Sequence, residues 1–204
     1  MSVVVIDYGM GNVASVKNAV DALGYDAVIS RKKEDIENAS HIILPGVGAF
    51  GNGIHNLIDF GLADLLGKEI LQKGKPFLGL CLGLQLLADT GQEGGAYKGL
   101  GWIRGYVRRF QVNESKVKVP HVGWDDIIIK RQSVLFQNIR KPIFYFVHSY
   151  HLIPEDESIV IAKTEYGETF VAAIEKENIF GLQFHPEKSQ REGLRLLKNF
   201  LQIR

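Results

Sequence analysis

Phe77-Leu-Gly-Leu-Cys-Leu-Gly-Leu-Gln-Leu-Leu-Ala88 holds the only cysteine of the chain. The stretch begins as an apolar run, read as a strand over Phe77–Leu80. It continues with helical character over Leu82–Ala88. Between them, Gly79-Leu-Cys-Leu-Gly83 has the form glycine, any residue, nucleophile, any residue, glycine. That is the pattern of a strand, a sharp turn and a helix. A lone cysteine in a leucine-rich run is ordinarily a small buried hydrophobe. The two glycines argue otherwise, because glycine weakens both a strand and a helix unless the backbone needs it. A turn of this kind holds the thiol out at the carboxyl end of a parallel sheet, where open α/β folds bind ligands. The helix start favours thiolate over thiol, and the backbone N–H of Leu82 is placed to donate to an oxyanion.

The surrounding sequence supplies such a sheet. Strands are predicted at Val3–Ile6, Tyr25–Ile29 and Ile42–Leu44, and helices at Asn12–Leu23 and Gly53–Lys73, the latter broken near Gly61. Strand and helix alternate through the first ninety or so residues, which implies an open, mostly parallel sheet covered by helices, an α/β fold of flavodoxin-like type. The second half changes character. Strand signals recur at Arg104–Phe110, Trp124–Lys130, Pro142–Val147, Ile159–Lys163, Phe170–Glu175 and Ile179–Phe184. Several connections there are too short for a crossover helix, so additional antiparallel strands are expected. Glu192–Leu201 closes the chain as an amphipathic helix. No linker, repeat or low-complexity tract divides the 204 residues, so residues 1–204 read as a single domain.

Composition narrows the function. The chain is 46% hydrophobic and 23% charged, with 24 basic against 23 acidic residues and a formal net charge of +1. That balance argues against nucleic acid or an anionic membrane as partner. No apolar run is long enough for a bilayer, and the N-terminus lacks signal-peptide features. One cysteine cannot close an internal disulfide, so a cytoplasmic setting is expected.

A thiol nucleophile needs a base, and the base needs a group to orient it. Of six histidines, His185 stands out in Phe180-Gly-Leu-Gln-Phe-His-Pro-Glu187. Pro186 pushes His185 into an extended conformation. Residues two apart in an extended segment face the same side, so Glu187 can hold one imidazole nitrogen and turn the other toward a thiol. Alone, His-Pro-Glu is more often a surface turn. Combined with the cysteine elbow, it proposes Cys81, His185 and Glu187 as a catalytic set. Gln85 lies one helical turn beyond Cys81 on the same side, and can contact a substrate unless it merely caps the helix or faces solvent.

At these residues the chain resembles the class I (triad) glutamine amidotransferases. Asp7-Tyr-Gly-Met-Gly-Asn12, Pro45-Gly-Val-Gly-Ala-Phe50, Pro120-His-Val-Gly-Trp124 and His148-Ser-Tyr150 are similar to the members that serve as glutaminase subunits of imidazole glycerol phosphate synthase in histidine biosynthesis. The resemblance implies hydrolysis of glutamine to glutamate and ammonia through a thioester on Cys81, with no cofactor and no metal. It implies that Val47 and Gly48 complete an oxyanion hole with Leu82. Gly48, Gln85 and the His148-Ser149-Tyr150 segment would bind glutamine, although Ser149 and Tyr150 could equally be strand packing. It further implies a heterodimer with a (β/α)₈-barrel cyclase that receives the ammonia and makes imidazole glycerol phosphate and AICAR. Asn12, Trp124 and Lys188 would lie near that interface; otherwise Lys188 is a solvated lysine. Val13-Ala14-Ser15 and Asp125 depart from the family pattern, away from the proposed triad.

Other readings are less well supported. Gly9-Met-Gly-Asn-Val-Ala14 fits a dinucleotide fingerprint, but no acidic residue ends the second strand, which reads Val28-Ile-Ser-Arg31. A cysteine peptidase of similar fold lacks a reason for the PGVG loop and the HPE ending. A non-catalytic regulatory subunit would not need an intact Cys, His and Glu set. His148-x-x-His151 lacks a third metal ligand of matching spacing. A paralogous glutaminase feeding another synthase, such as a sugar amidotransferase, would carry the same triad.

Overall fold

The computed structural model describes residues 2–203. Five parallel strands form one half of its main sheet. These are β1 (Ser2–Ile6), β2 (Asp26–Ser30), β3 (His41–Gly46), β4 (Phe77–Cys81) and, much later in the chain, β14 (Ile179–Leu182). Between the first four run α1 (Val13–Ala22), α2 (Lys33–Asn38), α3 (Phe50–Asp59) and α4 (Leu62–Gly67), the last prolonged by a π-helical turn over Lys68–Gln72. After β4 come α5 (Leu82–Gln85), β5 (Ala88–Gly91), β6 (Tyr97–Lys98), β7 (Ile103–Arg109), β8 (His121–Asp126) and β9 (Ile128–Ile129). Then follow β10 (Ile143–His148), β11 (Tyr150–Pro154), β12 (Val160–Glu165), β13 (Thr169–Lys176), β14 and α6 (Gln190–Leu201).

The main sheet has the order β2-β1-β3-β4-β14-β13-β12-β9. Its strands β13, β12 and β9 are antiparallel to their neighbours. A four-stranded sheet, β11-β7-β5-β6, and the pair β10-β8 complete the second half. The expected mixture, parallel first and antiparallel later, is therefore present. β3 and β4 are buried at every position, as parallel strands covered on both faces must be. β1 alternates between the two cores. Val4 and Ile6 pack with Leu57 and Leu66, whereas Val3 and Val5 pack with Val16, Val20 and Leu197. This follows from the two-residue period of a strand.

The structure corrects three element expectations. The helix after Cys81 is one turn long, ending at Gln85, and Ala88 already starts a strand. A single turn carries little of the dipole invoked for the thiolate. The helix expected from Gly53 begins at Phe50, and its last turn is π rather than α. The strand expected over Trp124–Lys130 is two, His121–Asp126 and Ile128–Ile129, while α2, β5, β6 and β11 are additional.

The glycines of the elbow are explained by close approach. A Cβ on Gly83 would lie 1.9 Å from the Leu44 carbonyl oxygen, and one on Gly79 would lie 2.7 Å from the Gly83 oxygen. β3, β4 and α5 are thus packed backbone to backbone.

Beside the elbow lies an aromatic core in which three histidines are buried. Phe110 has the rings of His148 and His151 at 5.1 and 5.0 Å, and His121 stacks on Tyr166 at 3.9 Å. Burial pushes all three imidazoles below their ordinary range, His151 to about 4. For His151, the charge of Arg108 adds to burial, against the Glu168 carboxylate.

Two outcomes follow from these contacts. Gly83→Ala should destabilise the fold by roughly 3 kcal/mol or more, because the new methyl meets backbone rather than a movable side chain; an unchanged urea midpoint would contradict the packing. The buried histidines stay neutral in the folded state but bind protons below about pH 6.5 once unfolded. Stability therefore falls as the pH drops, by about 2 kcal/mol between pH 7 and pH 5 from His151 alone. Urea unfolding at the two pH values measures this, and equal stabilities would refute it.

Candidate active site

Strand register assembles the site. β4 pairs in parallel with β14, Leu80 opposite Leu182, and with β3, Cys81 opposite Gly46. Parallel neighbours end at the same rim, about 4.8 Å apart. Cys81 therefore emerges between the Gly46–Gly48 loop on one side and the Gln183–His185 segment on the other.

Cys81 has φ 52° and ψ −104°, a left-handed backbone that a non-glycine residue adopts only under constraint. Its sulfur lies 3.9 Å from the Val147 carbonyl oxygen, to which the thiol donates, and 3.6 Å from Nε2 of Gln183. His185 is extended before Pro186, at φ −103° and ψ 95°, and its backbone N–H donates to the Tyr145 carbonyl. Glu187 then sits in a 3₁₀ turn over Pro186–Lys188 rather than in a continued strand. The turn still brings Glu187 Oε1 to 2.8 Å from His185 Nδ1, with the two side chains 2% and 4% exposed. Nε2 of His185 is buried without a hydrogen-bond partner, which leaves it as the nitrogen available to Cys81. Burial alone would lower the proton affinity of this imidazole. The adjacent Cys81 and Glu187 outweigh that effect and raise its pKa to about 10.

In front of the sulfur is a cleft of about 340 Å³. Val47, Gly48, Leu82, Gln85, His148, Ser149 and Tyr150 all line it together with Cys81. His185 and Glu187 are not among the lining residues. Gly48 has φ +103°, which a side chain would strain. Gln85 is neither a cap nor solvent-facing. It is 4% exposed, and its Nε2 donates to the Tyr150 carbonyl at 2.8 Å. His148 also donates to that carbonyl, from Nδ1 at 2.9 Å. Asn12, Trp124 and Lys188 lie outside the cleft on exposed surface. Trp124 packs edge-on against Tyr145 at 5.9 Å, and the Lys188 ammonium lies 5.8 Å from the same ring.

Two residues of this region escaped the sequence reading. Glu93 lines the cleft, its carboxylate accepting from the Phe50 N–H at 2.9 Å; it stands in an irregular turn with no motif around it. Gln183 was legible in principle, as a lone amide within the apolar run that ends at His185; it lies in the bend just after β14.

Known proteins similar to this chain identify its family. The family "Glutamine amidotransferase class-I" matches residues 4–203. The imidazole glycerol phosphate synthase subunit HisH of Aquifex aeolicus is 48% identical over 202 residues, covering 98% of this chain and 96% of that protein. The subunits named HisH 2 of Methanococcus maripaludis and Pseudomonas aeruginosa are each 44% identical, covering 98% of this chain and 98% and 99% of theirs. Among solved structures, a glutamine amidotransferase superposes with a TM-score of 0.74 at 22% identity, covering 97% of this chain and 96% of its own. PurLQS from Thermotoga maritima does so with 0.75 at 19%, covering 98% and 97%; both likenesses concern the fold alone. With an elbow cysteine facing a lined cleft and relatives matched over nearly their full length, the chain belongs to the class-I glutamine amidotransferase family, in the branch of the HisH subunits of imidazole glycerol phosphate synthase.

Proposed function

We propose that this chain is the glutaminase subunit of an imidazole glycerol phosphate synthase, acting in histidine biosynthesis through Cys81, His185 and Glu187. The observation that carries this reading is that Cys81 ends one strand, and the Glu187-bound imidazole follows the end of the parallel strand paired with it, at one rim. His185 takes the thiol proton, and the sulfur attacks the side-chain amide carbon of glutamine. The resulting oxyanion is received by the backbone N–H of Leu82 and by the Val47–Gly48 backbone. His185 then returns the proton to the departing nitrogen, releasing ammonia and leaving a thioester on Cys81. Water, deprotonated by the same imidazole, hydrolyses the thioester to glutamate. The raised proton affinity of His185 suits it to hold the proton between these steps. The cleft has a carboxylate, Glu93, for an α-amino group, and the 148–150 segment and Gln85 for the remaining polar ends of the substrate.

Ammonia is useful only when an acceptor site collects it before it is protonated and lost. The reading therefore includes a partner subunit, a (β/α)₈-barrel cyclase, docked over the rim. Val122, Trp124 and Ile143 expose 54%, 45% and 37% of their surface on the β8–β10 pair, beside Tyr145, and the same pair reaches the cleft through Val147. An apolar face of this kind at the mouth of a site supports docking there, with Asn12 and Lys188 at its margin. No described helix is long and apolar enough to cross a membrane, and a single free cysteine reserved for chemistry suits the reducing cytoplasm.

The decisive experiment is co-purification of the native partner, with its mass measured, followed by glutamine-dependent and ammonium-dependent synthase assays. The isolated chain should release little glutamate, and the partner with its nucleotide ligand should raise the rate; high activity of the chain alone would contradict this. Cys81→Ala in the complex should abolish glutamine-dependent synthesis and leave synthesis from ammonium salt intact. Glu187→Gln should lower kcat by roughly tenfold to a hundredfold, because the imidazole loses its orienting carboxylate; a kcat near that of the wild type would remove Glu187 from the mechanism.

A further inference from the structure

Gln183 is fully buried, does not line the cleft, and has no part in the reaction as written above. A primary amide buried just beyond the end of β14 is costly unless its polar atoms are matched. Here its Oε1 accepts from Gln85 Nε2 at 3.2 Å, and its Nε2 faces the Cys81 sulfur at 3.6 Å.

Which end of a glutamine amide is nitrogen is ordinarily a matter of inference, and the chain of contacts settles it. The Tyr150 carbonyl only accepts, so the end of Gln85 that lies 2.8 Å from it must be the nitrogen. The second hydrogen of that nitrogen goes to Gln183, which must present its oxygen. The nitrogen of Gln183 is thereby turned to the sulfur. Besides the His185 imidazole, the sulfur also has the Val147 carbonyl as a polar neighbour, an acceptor, which suits the thiol but not the thiolate.

We infer that Gln183 donates a hydrogen bond to the sulfur of Cys81, locked in that orientation by Gln85 and the Tyr150 carbonyl, and that it steadies the sulfur in its negatively charged form. The inference rests on the reading of Cys81 as nucleophile. It adds to the triad a buried donor that does not itself line the cleft.

Cys81 is the only cysteine, so its alkylation by iodoacetamide reports on this one sulfur. Rates are measured over a pH series for the wild type, Gln183→Met, which keeps chain length but has no N–H, and Gln183→Glu. The inflection should move up by about one to two pH units in Gln183→Met, the worth of a hydrogen bond to a charged group. In Gln183→Glu it should move further. In the partner complex, kcat for glutamine should fall roughly tenfold with KM nearly unchanged, as expected for a group that acts on the nucleophile and not on the substrate. An unmoved inflection in the folded variants overturns the inference, whether or not glutamine is hydrolysed. A moved inflection in a protein that does not hydrolyse glutamine upholds it and overturns the functional reading instead. Should both variants misfold, the ¹⁵N-labelled side-chain amide of Gln183 in the wild type serves. Its NMR signal should shift as Cys81 titrates and lose that response in Cys81→Ala, and an amide indifferent to Cys81 overturns the inference.

Discussion

The site depends on the register of three parallel strands. Gly46, Cys81 and the segment after Leu182 arrive at one rim because β3, β4 and β14 are paired as they are. A slip of one residue in β4 would turn the sulfur to the opposite face of the sheet. The register is held by burial on both faces, and by the backbone contact among β3, β4 and α5 that admits no side chain at position 83. The cysteine's left-handed backbone is the local cost of this arrangement, held by the packing on either side.

Charge at the rim is arranged by exclusion of water as much as by contact. The bond between His185 and Glu187 is almost wholly buried, so the carboxylate acts on the imidazole with little screening. In the neighbouring aromatic core, His121, His148 and His151 are buried too, yet are pushed toward the neutral form, because nothing there offsets burial as Cys81 and Glu187 do at His185. Similar side chains in similar darkness thus carry different charge, and the difference comes from their partners.

Much of this was readable from the residues. The glycines around Cys81, the proline after His185 and the apolar runs of β1, β3 and β4 act through local backbone preferences, which a sequence displays directly. The one-turn length of α5 was not readable, since Leu84, Leu86 and Leu87 have helical spacing but are drawn into the core that leads to β5. Tyr150–Pro154 pairs with β7 across a long sequence separation, and such pairing has no local signature. Glu93 reaches the cleft for the same reason, through the fold around it and not through its neighbours in the chain.

The order of the strands also governs when the protein can come alive during synthesis. β14 is inserted between β4 and β13, and in the main sheet it alone joins the early parallel half to the later antiparallel half. A ribosome that has released residues 1–100 has already made the cysteine strand, but its flank stays open until residues beyond 182 emerge. The imidazole and its carboxylate come a few residues later still, at His185 and Glu187. A chain cut short before that point therefore holds the thiol without the buried imidazole–carboxylate pair that the fold sets beside it.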